Sequence, residues 1–270
     1  MTLSVITIPC LEDNYAFILR CSETSTTAVV DVPDAAPILA ALKEREWGLD
    51  YILLTHHHFD HIDGVPDLQT ATGAQVIGAS ADEHRLPPLD HAVKDGDIFE
   101  IGASSMDVID VSGHTIGHIA FWFQDEHKVF SADSLMALGC GRIFEGTQPM
   151  MWETMQKFIA MPADTMVYSG HEYTASNAKF ALTIEPDNAD LIQRAADIEK
   201  MPVAGEFTVP SSIGLDMATN PFLRAGINVV KNAIGIHHSQ DHAVFAEIRP
   251  LHDTFSWPVL IGSLTTPLKR

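Results

Sequence analysis

Four histidines and an aspartate fall within seven residues at Thr55-His56-His57-His58-Phe59-Asp60-His61. Folding alone does not call for such a density of imidazole, because a buried ring nitrogen needs a partner. Imidazole and carboxylate together are the usual ligands of a borderline divalent ion: zinc first, with iron and manganese also suited. His56 and His58 lie two apart, so in extended chain they project to the same side. Asp60 and His61 follow where the chain should turn into a helix. His57 sits inside the cluster but should point away from its neighbours. Three more candidates each come just after a strand-like run: His114, Asp133 and His171. One tetrahedral ion takes about four ligands. Seven candidates therefore suit two ions better than one, the more so if a carboxylate is shared, and two ions about 3.5–4 Å apart form a hydrolytic arrangement.

The elements that must position these groups are legible as alternating and apolar runs. Residues 16–20 and 27–32 read as paired strands, and Asp34 is placed to cap a helix through about Glu46. The apolar run 51–54 reads as a buried strand leading into the histidines. Residues 98–101 and 106–111 alternate at period two, and 119–123 pairs with 128–131. A helix is expected over 150–160 and a strand over 166–169. After His171 strand signals stop, and 175–182, 190–200 and 242–248 read as helices. Strands mixed with helices, then helices alone, argue for an α/β unit followed by a small helical one, with the boundary near Tyr173.

Composition narrows the function classes. The 270 residues carry 36 acidic against 16 basic side chains, a formal charge of −20. That balance argues against nucleic acid and anionic membrane as partners, since phosphate contacts need Lys and Arg. An anionic substrate would have to be met by a few well-placed arginines. Three cysteines without a CxxC pair fit a reducing cytoplasm. No run reaches the length of a membrane span, and the first residues lack the basic start of a signal peptide. Cys140, between two glycines, reads as a small packed residue rather than a nucleophile.

Beyond the histidine cluster, the chain carries Asp13-Asn14-Tyr15, Gly113-His114-Thr115-Ile116-Gly117-His118, Gly139-Cys140-Gly141-Arg142-Ile143-Phe144-Glu145-Gly146-Thr147 and Gly170-His171-Glu172-Tyr173-Thr174. With these motifs it resembles the metallo-β-lactamase-fold hydrolases and, within them, the glyoxalase II (hydroxyacylglutathione hydrolase) family, to about Phe255. The resemblance implies an α/β fold: an αββα sandwich over residues 1–173 and a helical substrate-binding domain over 174–270. It implies that His56, His58 and His114 hold one metal, that Asp60, His61 and His171 hold the other, and that Asp133 bridges. Asp60 would also orient a hydroxide held between the metals. Arg142, Phe144, Tyr173, Arg249 and His252 would hold the glutathione part of a thioester. His252 stands where the family often has lysine, and Phe144 where some relatives have tyrosine.

The activity implied is hydrolysis of S-D-lactoylglutathione to D-lactate and glutathione, in methylglyoxal detoxification, by a cytoplasmic monomer. Two other readings stay open: an iron-dependent glutathione persulfide dioxygenase using one metal, and a lactonase-type hydrolase on the same scaffold.

Overall fold

The computed structural model describes residues 3–255, so the tail beyond Phe255 lies outside the described residues. The first sheet holds β1 (Leu3–Cys10), β2 (Asn14–Cys21), β3 (Thr27–Val30), β4 (Tyr51–Leu53), β5 (Gln75–Ala79) and β6 (His91–Val93) in that spatial order. Its first three strands run antiparallel and the rest are added in parallel. Parallel neighbours need crossovers. The first two are α1 (Ala35–Glu44), capped by the Asp34 side chain, and the pair α2 (Phe59–Ile62) and α3 (Val65–Thr72). The third, from β5 to β6, is a loop that begins with the short turn Ser80–Asp82.

The second sheet contains β7 (Ile98–Ile101), β8 (Ser104–Asp110), β9 (Ile119–Phe123) and β10 (Lys128–Ala132). A two-stranded ribbon follows, β11 (Leu135–Met136) with β12 (Gly139–Cys140), and then α4 (Gln148–Ile159). β13 (Met166–Ser169) returns parallel to β10. The helices α5 (Thr174–Ile184), α6 (Ala189–Ile198) and α7 (Met201–Ala204) lead to β14 (Ser211–Ser212), which pairs with β13 at the sheet edge. The helices α8 (Ile213–Thr219), α9 (Asn228–Ala233) and α10 (Asp241–Asp253) complete the described chain.

Strand alternation sorts the apolar side chains into layers. Phe17, Leu53, Ile77, Phe121, Phe130 and Tyr168 face inward and bury one cluster between the sheets. Their neighbours Ile18, Ile52 and Val76 face outward onto Ile38, Leu42 and Leu68 of α1 and α3. Ala120, Val129 and Val167 face outward onto α4 and the C-terminal helices. Both sheets are therefore buried on both faces, which is why their central strands read as continuous apolar runs. The layers are αββα, as the motifs imply.

Two expectations need correction. Strand signals do not end at His171: β14 adds a two-residue edge strand, too short to register as a pattern. Helix α10 also runs past Pro250 to Asp253 instead of stopping near residue 248, and so carries Arg249, His252 and Asp253 on one element.

Phe180, Phe245 and Ile248 from the C-terminal helices, with Phe222 from the turn between α8 and α9, share one buried cluster with Met151, Met155 and Phe158 of α4. Phe245→Ala should therefore cost about 3–5 kcal/mol. It should shift a single cooperative denaturant transition rather than split off an early one. Tryptophan fluorescence would follow this, since Trp152 lies 5.7 Å from the Phe245 ring.

Candidate metal centre and substrate cavity

All the candidate ligands come from one edge of the sandwich. The chain leaves β3 at Asp31, β4 at His56, β8 toward His114, β10 at Asp133 and β13 at His171. Backbone bonds stitch the two sheets together there. Tyr15 N donates to Gly170 O (2.8 Å), Glu172 N to Asp13 O (2.8 Å) and Ile119 N to Thr55 O (3.0 Å). Asp31 and Ala132 adopt positive φ (56° and 41°) without being glycine, a strain that tends to be kept where a site needs it. The register shift between Phe130 and Ala132 turns the chain so that Asp133 follows.

The side chains meet in two groups, His56 with His58, His114 and Asp133, and Asp60 with His61 and His171. Within each, one ligand atom per residue lies within 4.8 Å of the others. Asp133 touches both: Oδ2 is 3.4 Å from His114 Nε2 and 3.4 Å from His171 Nε2, and Oδ1 is 3.6 Å from His61 Nε2. All seven residues that spacing singled out thus converge. A third close group, Asp31 with His56 and His61, has a different character. Both Asp31 oxygens already accept, Oδ1 from Thr55 N and Oδ2 from Thr55 Oγ1 and His61 Nδ1.

The outward nitrogens fix what faces inward. His61 Nδ1 donates to Asp31 (2.8 Å), His171 Nδ1 to Asp13 Oδ1 (3.0 Å) and His114 Nδ1 to the Arg142 carbonyl (2.7 Å). Thr55 Oγ1 spends its proton on Asp31, so it accepts from His56 Nδ1 (3.0 Å). Each of these rings, when neutral, then presents a bare Nε2. His56 Nε2 is fully buried without a hydrogen-bond partner. His58 Nδ1 stands 3.0 Å from His114 Nε2, and His61 Nε2 stands 3.3 Å from His171 Nε2. Ligand nitrogens about 2.0–2.1 Å from a shared tetrahedral ion would be roughly 3.3 Å apart. The donor set and its spacing fit divalent metal.

The electrostatics of the side chains alone split between the two groups. Burial opposes charge on His61 and His171, but Asp133, helped by Asp31 and Asp13, raises both above the ordinary imidazole range, a positive charge that a bound cation would replace. Burial, reinforced by neighbouring rings, holds His56 well below the ordinary imidazole range and brings His58 down to about 4. Burial opposes ionisation of Asp133, but His171 and His61 outweigh it and hold the carboxyl well below its usual range. Asp133 is an anion where the two groups meet.

A cavity of about 650 Å³ opens from this cluster. Phe144, 60% exposed, lies T-shaped to His58 and His114, and the Arg142 guanidinium lies over its ring. Tyr173 stacks on His171, 8° from parallel at 4.7 Å. The far end is built by α5 and α10: Asn177, Arg249, His252 and Asp253. All five residues expected to bind substrate line this cavity, though not as free charges. Asp253 Oδ1 accepts from Arg142 Nε (3.2 Å) and Arg249 Nη2 (2.9 Å). Arg249 is only 2% exposed, and its Nη1 donates to the Cys140 carbonyl. Arg249 also donates to His252 Nδ1, and His252 Nε2 donates to Asn177 Oδ1 (3.0 Å). Burial and the charge of Arg249 bring His252 down to about 4, so it is a neutral ring at pH 7.

Residues 22–171 match the metallo-beta-lactamase superfamily, and residues 172–255 match the family described as hydroxyacylglutathione hydrolase C-terminus. The hydroxyacylglutathione hydrolase of Jannaschia sp. is 58% identical over 251 residues, 93% of this chain and 98% of the relative. That of Cereibacter sphaeroides is 54% identical over 255 residues, 94% of this chain and 100% of the relative. The chain belongs to the hydroxyacylglutathione hydrolase family. In fold it is also similar to the B3 metallo-beta-lactamase BLEG-1, at TM-score 0.62 and 22% identity over 82% of this chain and 99% of that one. ETHE1 from Myxococcus xanthus gives TM-score 0.61 and 20% identity over 93% and 98%.

The sequence reading missed the residues that orient this family member's imidazoles. Asp31 reaches ligand candidates of both groups, through His61 directly and through Thr55 to His56. Asp13 anchors His171, and Asn14 Nδ2 donates to Asp60 Oδ2 (3.1 Å). Asp13 and Asn14 stand in a motif the sequence displays, but an aspartate ending a strand, like Asp31, looks like a turn former. Among the described residues, His118, the last of the Gly113–His118 motif, makes no hydrogen bond to a ligand candidate. Instead it stacks on His56 at 10° and 4.5 Å, and its Nδ1 meets the Ile119 carbonyl. His57 does turn away, to Asp82.

Gly170 fits because a Cβ there would lie 2.7 Å from Asp133 Oδ1 and 2.7 Å from His61 Cε1. Gly170→Ala should reduce bound metal measured by elemental analysis while far-UV circular dichroism stays near that of the parent. Asp31→Asn should weaken metal binding about 10–100-fold, read by chelator competition.

Proposed function

We propose that this chain hydrolyses the thioester bond of hydroxyacyl-glutathione, with S-D-lactoylglutathione as substrate and D-lactate and glutathione as products. The observation that carries this reading is a single cavity. It joins a seven-residue His/Asp cluster to a far end built by the C-terminal helices, with Arg142 at its side. The relatives' name supplies the substrate class. His56, His58, His114 and Asp133 would hold one ion, and Asp60, His61, His171 and Asp133 the other, zinc being the ion these ligands suit best. Bound there, the ions supply a water acidified toward neutrality and positive charge to offset the developing oxyanion.

The protein's own groups do the rest. Asp60, held by Asn14, is placed beside His171 (3.4 Å) to orient the attacking water. Phe144 and Tyr173 shield the thioester carbonyl with apolar faces. Arg142, partly exposed, can turn from Asp253 to meet a carboxylate of the glutathione carrier. The expelled thiolate has a parent pKa near 8.5 and needs no dedicated acid. The assembled group of Asp60, His61 and His171 favours hydrolysis over a one-iron oxygenase, which would leave it idle.

His58→Ala should abolish hydrolysis of S-lactoylglutathione, and unchanged turnover would remove the metal centre from the reaction. Arg142→Ala tests the carrier contact more cleanly than replacing the buried Arg249, whose loss would strand Asp253 and the Cys140 carbonyl. It should raise KM for S-lactoylglutathione about tenfold, some 1.4 kcal/mol, with kcat nearly unchanged. KM for a thioester of uncharged N-acetylcysteamine should not move.

A further inference from the structure

Arg85, in the turn after β5, belongs to no motif, yet it joins the three loops beside one half of the metal centre. Its Nε donates to Asp82 Oδ1 (2.5 Å), its Nη1 to Glu145 Oε1 (2.5 Å) and its Nη2 to the Ile116 carbonyl (2.7 Å). Asp82, fully buried, accepts from His57 Nδ1 (2.9 Å), and Glu145 Oε2 accepts from Ile116 N (2.9 Å). One guanidinium thus ties His57, between His56 and His58, to Ile116, two residues after His114, and to Glu145.

The Glu145 loop is itself coupled to the metal site. Its Arg142 carbonyl accepts the Nδ1 proton of His114, and Phe144 N donates back to His114 O (3.1 Å). Phe144 of the same loop packs on His58 and His114. The Asp60, His61 and His171 group is anchored elsewhere, on Asp31, Asp13 and Asn14.

We propose that Arg85 is a positioning residue that holds His56, His58 and His114 in ligand geometry and locks the Arg142–Phe144 segment to them. The three charge-assisted bonds form one fork on a partly buried guanidinium, where bidentate geometry adds direction as well as energy.

The test is Zn2+ competition with a chromophoric chelator on the full chain, together with the thermal midpoint of the metal-stripped protein. Arg85→Leu should weaken one of two zinc-binding steps 10–100-fold and leave the other within twofold. Arg224→Leu is the control. Its guanidinium makes a comparable two-bond pair with buried Glu185 (2.6 and 2.9 Å), remote from the metal groups. It should lower the thermal midpoint and move neither zinc step. Zinc steps unchanged in Arg85→Leu, or both shifted equally along with the midpoint, would overturn the proposal. If Arg85→Leu does not fold, Arg85→Lys keeps the charge but cannot span three partners. It must then show the same selective loss, and its absence would equally overturn the proposal. The zinc readout does not depend on the identity of the thioester.

Discussion

Five imidazoles converge here, and four of them turn a bare nitrogen inward because the opposite nitrogen is committed outward. Neutral imidazole has one donor and one acceptor nitrogen, so an outward donor bond dictates an inward lone pair. Asp31, Asp13, Thr55 and the Arg142 carbonyl make those outward bonds. Without a shared cation, such lone pairs either take up protons, as His61 and His171 do beside Asp133, or stay buried without a partner, as His56 Nε2 does, at about 1–3 kcal/mol each. The centre is therefore held together by groups that never touch a metal. The sheets, their stitched edge and the strained turns at Asp31 and Ala132 can be understood as the means of holding those groups in place.

This division explains which parts of the site the sequence reveals. Ligand candidates stand out because His and Asp at strand ends are chemically unusual, and all seven could be named from spacing. Orienting groups do not stand out, since Asp31 looks like an ordinary end to a strand. Arg85 is less visible still, with partners 31 and 60 residues away in sequence. Central strands were legible because burial on both faces demands continuous apolar runs. The edge strand β14 has two residues and no such demand. The last turn of helix α10 is hard to read from the sequence because Pro250 usually breaks a helix. Here the helix carries on past it, with Arg249 tied to His252 and Asp253 within its last turn.

The acidic surface and the anionic substrate pose a related problem. A chain with formal charge −20 must make a positive point to receive a carboxylate. Arg142 and Arg249 were the natural suppliers, yet Asp253 bridges them and His252 stays neutral. The two arginines therefore differ in what they can do. Arg249 is buried and committed to the Cys140 carbonyl, Asp253 and His252, so it serves as a fixed support for the cavity's far end. Arg142 has one carboxylate partner and an exposed side chain, and exchanging one carboxylate for another costs little in an exposed pair. A binding carboxylate need only replace Asp253. Holding arginines against a resident acid keeps them ordered before substrate arrives, which reduces the entropy lost on binding. It also limits the net field, so on the proposed reading recognition on this side of the cavity would depend on a single arginine, which already lies over Phe144 beside the His/Asp cluster.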